Sequence, residues 1–173
     1  MSNACQLPAT EPWMRGTHGE IPAPARAVLH ALELTLEDIR RAVADLAPDE
    51  FHLRPHGLNP IAFHLRHTAR STDRLLSYAE GRQLTAEQLA LLKSEKEIEG
   101  SPEELMAEFE AAMQDAASRV TALATTNLEE PRGIGRKQLP TTVGGAMIHV
   151  ADHAQRHCGQ LVTTAQLIRA MRS

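Results

Sequence analysis

The segment TVGGAMIHVADHAQRHCGQ, residues 142–160, places His149, His153 and His157 four residues apart on an apolar-striped helix. Residues at this spacing lie above one another on one face of an α-helix. Imidazoles on such a face are costly in a core unless they bind something, and imidazole is the commonest side-chain ligand of transition metals. The segment therefore predicts a metal site inside a helical protein.

The buried stripe of this helix separates the three histidines. At about 100° per residue, the stripe is defined by Val143, Met147, Val150, Leu161, Thr164 and Ile168. His157 is expected near its centre, His153 slightly to one side and His149 at its margin. His153 and His157 are therefore the predicted inward pair, and His149 is assigned to the pocket rim or to a position behind the ligands.

Two histidines on one helix do not complete a metal site, so a third ligand must come from a facing helix. His64 and His67, in FHLRHTA (residues 63–69), are the candidates. Helical periodicity places His64 nearer the buried stripe, and taken alone it favours His64. One histidine on an apolar face is more often a hydrogen-bonded core residue. However, five of the nine histidines fall in these two segments, which favours a metal site.

The rest of the chain also predicts helices, from apolar spacing and from capping residues. Their expected ranges are residues 24–46, 59–80, 85–92 and 101–123, followed by a last helix to about residue 170. Asn59 is the expected N-cap of the second helix, and Thr141 or Thr142 that of the last. Residues 126–140 are expected to form a loop, and no convincing strand is found. The Gly144-Gly145 pair suggests close approach of another backbone or of a ligand, although a frayed first turn of the helix explains it equally well.

These elements predict an all-α four-helix bundle over residues 22–173, with a short extra helix between the second and third long helices. Residues 1–21 are rich in polar residues, Pro and Gly, and are expected to form an irregular N-terminal strap. The other four histidines, His18, His30, His52 and His56, are expected at surface or loop positions.

Composition excludes several classes of function. The net charge of −4 and the lack of a phosphate-tracking basic cluster argue against nucleic acid as a partner. No apolar run reaches the length of a membrane span, which excludes a membrane partner. Two cysteines, Cys5 and Cys158, are too few for a disulfide framework. The expected location is therefore the cytoplasm.

The chain resembles the DinB-like family of metal-binding four-helix bundles, which includes the YfiT-like metal-dependent hydrolases. The resemblance rests on His67-Thr-Ala and on HVADHAQRHCGQ, residues 149–160, and it covers about residues 22–172. In that family one ligand comes from the second helix and two, four apart, come from the last. The resemblance therefore implies His67, His153 and His157, and it overrules the preference for His64. His64, His149 and Gln160 remain as alternative ligands or as residues behind the ligands.

The resemblance also implies a divalent metal, most simply zinc or nickel, and a small-molecule substrate. Three neutral imidazoles with an open position are typical of a catalytic metal. A water there, with its pKa lowered towards about 7, supports hydrolysis. A low-molecular-weight thiol bound as thiolate supports S-transfer, which characterised relatives perform. The alternative is a non-catalytic module that binds a metal or small ligand in a stress response.

Other features bear on the reaction and on assembly. The last helix lacks the HExxH glutamate, which counts against peptide hydrolysis. Basic residues are candidates to bind an anionic thiol, although a solvated helix face explains regularly spaced arginines more simply. They are Arg66, Arg70, Arg74, Arg136, Lys137 and Arg156. Cys158 points about 100° away from His157 and is not assigned as a nucleophile.

Members of the family often pair through helices, so the resemblance is compatible with a homodimer, although the sequence shows no decisive apolar patch for one.

Overall fold

The computed structural model describes residues 10–96 and 99–172, and α-helices dominate this part of the chain. The elements in chain order are α1 (Ala23–Val43), α2 (Ile61–Ala79), α3 (Ala86–Lys93), α4 (Pro102–Leu123), β1 (Pro131–Ile134), β2 (Leu139–Thr142) and α5 (Val143–Met171). Short 3-10 turns cover Pro12–Met14, Pro48–His52 and Pro55–Gly57. The predicted all-α class describes most of the molecule, and a small hairpin is the exception.

The four long helices enclose one apolar core. Helices α1 and α2 each pack against both α4 and α5, while the short α3 lies beside α2. The largest fully buried side chains come from all four: Ile39, Ile61, Leu65, Leu76, Leu105, Phe109, Met147, Leu161 and Ile168. Burial of each such side chain stabilises the fold by about 1.5–3 kcal/mol. This packing fixes α2 beside α5, where the histidine-bearing segments meet.

Side-chain caps begin three helices where the sequence predicts them. The hydroxyls of Thr85 and Ser101 accept hydrogen bonds from the backbone N–H groups three residues later, at 3.1 and 3.2 Å. Thr142 Oγ1 likewise accepts from Gly145 N at 3.0 Å and caps α5. These bonds satisfy backbone donors that the first turn of a helix leaves free.

The predicted cap of α2 at Asn59 is wrong by one residue. Pro60 occupies the N-cap with an extended backbone, φ −74° and ψ 166°, and its carbonyl accepts the first helical hydrogen bonds. At the other end the helix stops as predicted before Gly81. Gly81 adopts φ +78°, a left-handed conformation that costs glycine little.

The expectation of a loop without strands over residues 126–140 is also wrong. β1 and β2 form an antiparallel hairpin, with Pro131 opposite Thr142 and Ile134 opposite Leu139. Strands of four residues give too short a pattern for periodicity to detect. Because β2 leads directly into α5, the hairpin fixes the start of that helix.

Gly144 marks the close approach that the glycine pair suggests. Its N–H donates to Leu128 O at 2.8 Å, and a Cβ at this position would lie 3.2 Å from that carbonyl oxygen. A larger residue would therefore push the turn that precedes β1 away from α5.

The described part of the N-terminal strap, residues 10–21, lies along α1. Arg15 forms a bidentate pair with Glu37, at 2.5 and 2.8 Å. Residues 1–9, including Cys5, lie outside the described part of the chain. Among the described helices, none has the length and apolar character needed to cross a bilayer.

Candidate metal centre

Three histidines from two helices meet at one point of the bundle. His67 comes from α2, His153 and His157 come from α5, and one ligand atom from each lies within 4.8 Å of the others. The Nε2 atoms of His67 and His153 are 3.2 Å apart. Two nitrogens bound to one tetrahedral metal ion at about 2.0–2.1 Å are separated by about 3.3–3.4 Å. The observed spacing is therefore close to that of two ligands sharing one cation.

Near the histidines, the buried face of α5 is formed by residues other than those predicted. Ala154 and Cys158 are buried, with 0% and 3% exposure, and His153 and His157 lie beside them, partly exposed. The predicted placement of His157 at the centre of the stripe is therefore wrong. Small residues occupy the centre because α5 lies close to α1 there: Cys158 Sγ is 4.0 Å from Thr35 O. The two histidines consequently face the edge of the core.

His149 does not join the other three. Its side chain is 47% exposed and lies 3.3 Å, Nδ1 to Oδ2, from the exposed Asp152. This agrees with its predicted place at the margin of the stripe.

The two histidines of α2 take different positions. His64 is 4% exposed, as its periodicity predicts, whereas the His67 side chain is 18% exposed. His64 Nδ1 lies 3.4 Å from His157 Nδ1, so His64 contacts the triad from the core side. His67, rather than His64, brings a ligand atom within 4.8 Å of one from each α5 histidine. The choice of His67 as a metal ligand stays a prediction.

Glu95 and Arg74 orient His67, and no sequence pattern predicts either contact. Glu95 Oε2 accepts from His67 Nδ1 at 2.9 Å, and Glu95 Oε1 accepts from Arg74 Nη1 at 2.8 Å. Burial by itself would raise the pKa of Glu95, but the hydrogen bonds from His67 and Arg74 hold it below its ordinary value. Because His67 Nδ1 donates to a carboxylate, its Nε2 lone pair faces the other histidines. Metal-binding histidines commonly show this arrangement.

His153, His157 and the neighbouring His64 are neutral at neutral pH. Burial lowers the pKa of His153 and His157 to about 4 each, and repulsion from neighbouring imidazoles adds to the effect. Burial and the same repulsion lower the pKa of His64 to about 4. Neutral imidazole is the form that binds metals.

One nitrogen of the triad, His153 Nδ1, has no hydrogen-bond partner in the described part of the structure. His67 Nδ1 carries the donated proton, so the 3.2 Å contact requires His153 Nε2 to donate to His67 Nε2. His153 Nδ1 is then a buried acceptor with no hydrogen-bond partner in the described structure. A divalent cation between the facing nitrogens would replace the shared proton. Three imidazole nitrogens are a donor set that fits a transition metal such as zinc or nickel.

A cavity of about 420 Å³ is lined by His64 and Gln160, which both contact His157, although the three triad histidines do not line it themselves. Its lining is Leu58, Asn59, His64, Arg156, Gly159, Gln160, Thr163 and Thr164. Gln160 hydrogen-bonds to His157, and Gly159 leaves space at the wall because a Cβ there would meet no atom within 4 Å. The cavity is large enough for a small-molecule substrate.

Three of the six basic candidates contribute to structure, which corrects the expectation of a solvated arginine face. Arg66 and Arg70 pair with Glu108 of α4, and Arg74 pairs with Glu95. Arg136 and Lys137 lie in the turn of the hairpin, between β1 and β2. Arg156 lines the cavity beside the triad and pairs with Asp152 at 3.0 Å.

Cys158 is not a nucleophile in this environment. Burial raises the pKa of its thiol to about 12, so the reactive thiolate is scarce at neutral pH. The expectation drawn from its direction on α5 agrees with this position in the core.

Comparison with known proteins gives the family. A family model described as the DinB superfamily matches residues 31–161, a span that contains His67, His153 and His157. This is more than half of the chain, which therefore belongs to the DinB superfamily. No curated protein matches the chain.

Proposed function

We propose that this member of the DinB superfamily is a four-helix bundle that binds one divalent metal ion, zinc or nickel, through His67, His153 and His157. The convergence of these three imidazoles from α2 and α5 carries the proposal. DinB-like proteins are often metal-binding. The neutral state of the α5 pair and the carboxylate behind His67 support the same assignment.

We further propose that the site is catalytic and that the reaction is S-transfer from a low-molecular-weight thiol, or a hydrolysis. When bound, the metal would act as a Lewis acid that favours the ionised form of a thiol or of water. Three protein ligands leave a coordination position for that group. The adjacent cavity of about 420 Å³ offers room for the rest of the substrate.

The residues around the cavity favour an anionic thiol. Arg156 brings a half-exposed positive charge to the wall, and Gln160 offers an amide next to His157. Leu58 supplies apolar surface for the carbon skeleton. In this proposal the charge of Arg156 and the apolar surface of Leu58 select the substrate, and the metal binds its thiol.

Thiol transfer is better supported than hydrolysis that needs a protein base. Glu95 is the carboxylate that hydrogen-bonds the triad, and both of its oxygens already accept hydrogen bonds, from His67 and Arg74. A carboxylate held in this way has a lowered pKa and is a weak base. A thiol that ionises on the metal does not require a strong base from the protein.

The test is conjugation of a low-molecular-weight thiol to an electrophilic dye by the zinc- or nickel-loaded protein. We expect turnover by the natural chain and a loss of about 100-fold or more for His153→Ala, since a ligand is removed. His149→Ala is the matched control, one turn earlier on α5, and should keep full activity. A protein that retains the metal but neither conjugates thiols nor hydrolyses esters would favour the alternative, a non-catalytic metal- or small-ligand-binding module of a stress response.

A further inference from the structure

A second group of metal-ligating side chains lies where the strap meets α1. His18, His30 and Glu33 each bring one ligand atom within 4.8 Å of the others. His18 Nε2 is 2.7 Å from Glu33 Oε1, and the rings of His18 and His30 are 5.5 Å apart. His30 is 8% exposed, so the expectation that it lies at the surface is wrong.

The backbone of the strap is shaped to bring His18 onto α1. His18 adopts φ +58°, a left-handed conformation that is uncommon for a residue with a side chain. Its carbonyl accepts from Ile21 N at 2.9 Å, which closes the turn. A strained conformation persists only where surrounding contacts hold it. Here the contacts are with α1: His18 to Glu33, and Thr17 Oγ1 to His30 Nε2 at 3.1 Å.

We propose that His18, His30 and Glu33 form a second divalent-metal site, suited to zinc, that fastens the strap to α1. Two imidazoles and one carboxylate are a zinc donor set. His30 and Glu33 are three residues apart on α1 and so project from one face of that helix. His18 completes the set from the strap, so the ion would bridge two segments of the chain.

Access and charge at the cluster are compatible with a cation. One cavity reaches His30 and Thr17, and another reaches His18 and Glu33, so solvent can supply the remaining coordination position. Arg15, whose charge also acts on Glu33, is neutralised by its bidentate pair with Glu37. The cluster shares no residue with the His67 triad and does not depend on the function proposed for it.

The test is equilibrium dialysis of the full chain against Zn²⁺, with metal content read by elemental analysis. The double variant His153→Ala/His157→Ala should keep one equivalent of zinc, and adding His18→Ala or Glu33→Gln should abolish it. His56→Ala is the matched control, because His56 is exposed and also left-handed, with φ +50°. It should leave the zinc content unchanged.

Two outcomes would overturn the second site. One is a folded double variant, judged by circular dichroism, that binds no zinc. The other is a zinc equivalent that survives His18→Ala. Should the double variant not fold, the natural chain and His18→Ala still decide, since His18→Ala must lose one equivalent. In the natural chain, zinc should also slow amide hydrogen exchange in residues 10–21, and this protection should be absent in Glu33→Gln.

Discussion

His67 Nδ1 donates a hydrogen bond of 2.9 Å to Glu95 Oε2, and this bond decides which nitrogen of His67 faces α5. The Phe63 ring stacks on His67, with a 5.2 Å separation and an 8° interplanar angle, and restrains the imidazole further. Glu95 itself is held by Arg74. The three contacts fix one ligand before any metal arrives, which lowers the cost of organising the site.

Glu95→Gln should weaken zinc binding by about 10–100-fold, the usual effect of losing an outer-shell partner of a metal-binding histidine. It should also lower stability, because Arg74 loses its buried counter-ion. Competition with a chromophoric chelator measures the affinity. Glu108→Gln is the control, since Glu108 pairs with Arg66 and Arg70 of α2 rather than with a triad histidine. Equal zinc affinity in Glu95→Gln and the natural chain would rule out this role.

The metal-free protein should lose stability as the pH falls from about 6.5 to about 4. The folded-state pKa of His64, His153 and His157 is about 4 because they are buried, whereas the ordinary value is 6.5. Between these values the unfolded chain binds more protons, so the free energy of unfolding decreases with decreasing pH. Urea unfolding in a chelator at pH 7, 5.5 and 4.5 checks this.

Two acidic residues paired with arginines, Asp45 and Glu50, titrate below that window. Hydrogen bonds from Arg169 and Arg172 lower the pKa of Asp45 and Glu50 to about 2. Their contribution to stability is lost only as the pH falls below about 4. A free energy of unfolding that stays constant or rises between pH 7 and 5 would contradict the burial of the neutral histidines.

Two glycines of α5 should respond oppositely to alanine. Gly159→Ala should raise the free energy of unfolding by roughly 0.5–1 kcal/mol, because the new Cβ meets no atom within 4 Å. Gly144→Ala should lower it, because the Cβ would lie 3.2 Å from Leu128 O, a backbone atom that cannot move freely. Chemical unfolding of both variants measures the difference. Destabilisation by Gly159→Ala would contradict the open space at this position, because it would mean that the new methyl group clashes with a neighbouring atom.

Arg156→Ala should raise the KM for an anionic thiol with little change in kcat, if the cavity beside His64 binds the substrate. The expected effect is roughly twofold to fivefold, as for other half-exposed ion pairs of ~0.4–1 kcal/mol. It should shrink in 0.5 M salt, which screens exposed charges. Arg136→Ala, in the hairpin turn, serves as the control. An unchanged KM would place the substrate elsewhere.

Much of the fold follows from local sequence signals. Helix caps and helix ends depend on contacts within a few residues, so they can be predicted from a short stretch of sequence. Examples are the caps at Thr85, Ser101 and Thr142 and the end of α2 before Gly81. The apolar residues that define the α5 stripe are all buried as predicted.

The centre of that stripe does not follow from apolar periodicity, because the small residues that occupy it contribute little to the hydrophobic pattern. Ala154 and Cys158 occupy it because α5 packs closely against α1, and packing distance is a tertiary property. The contact between Glu95 and His67 joins residues 28 positions apart, and it is likewise beyond a periodicity argument. The same holds for His30, whose burial depends on the strap.

Metal content of the purified protein tests the central claim most directly. Elemental analysis after purification without chelators should find zinc or nickel in the natural chain. His67→Ala, His153→Ala and His157→Ala should each lose one equivalent relative to it, while His149→Ala keeps the full content. Absence of any divalent metal from the natural chain, or triad variants that hold as much metal as it does, would contradict the account.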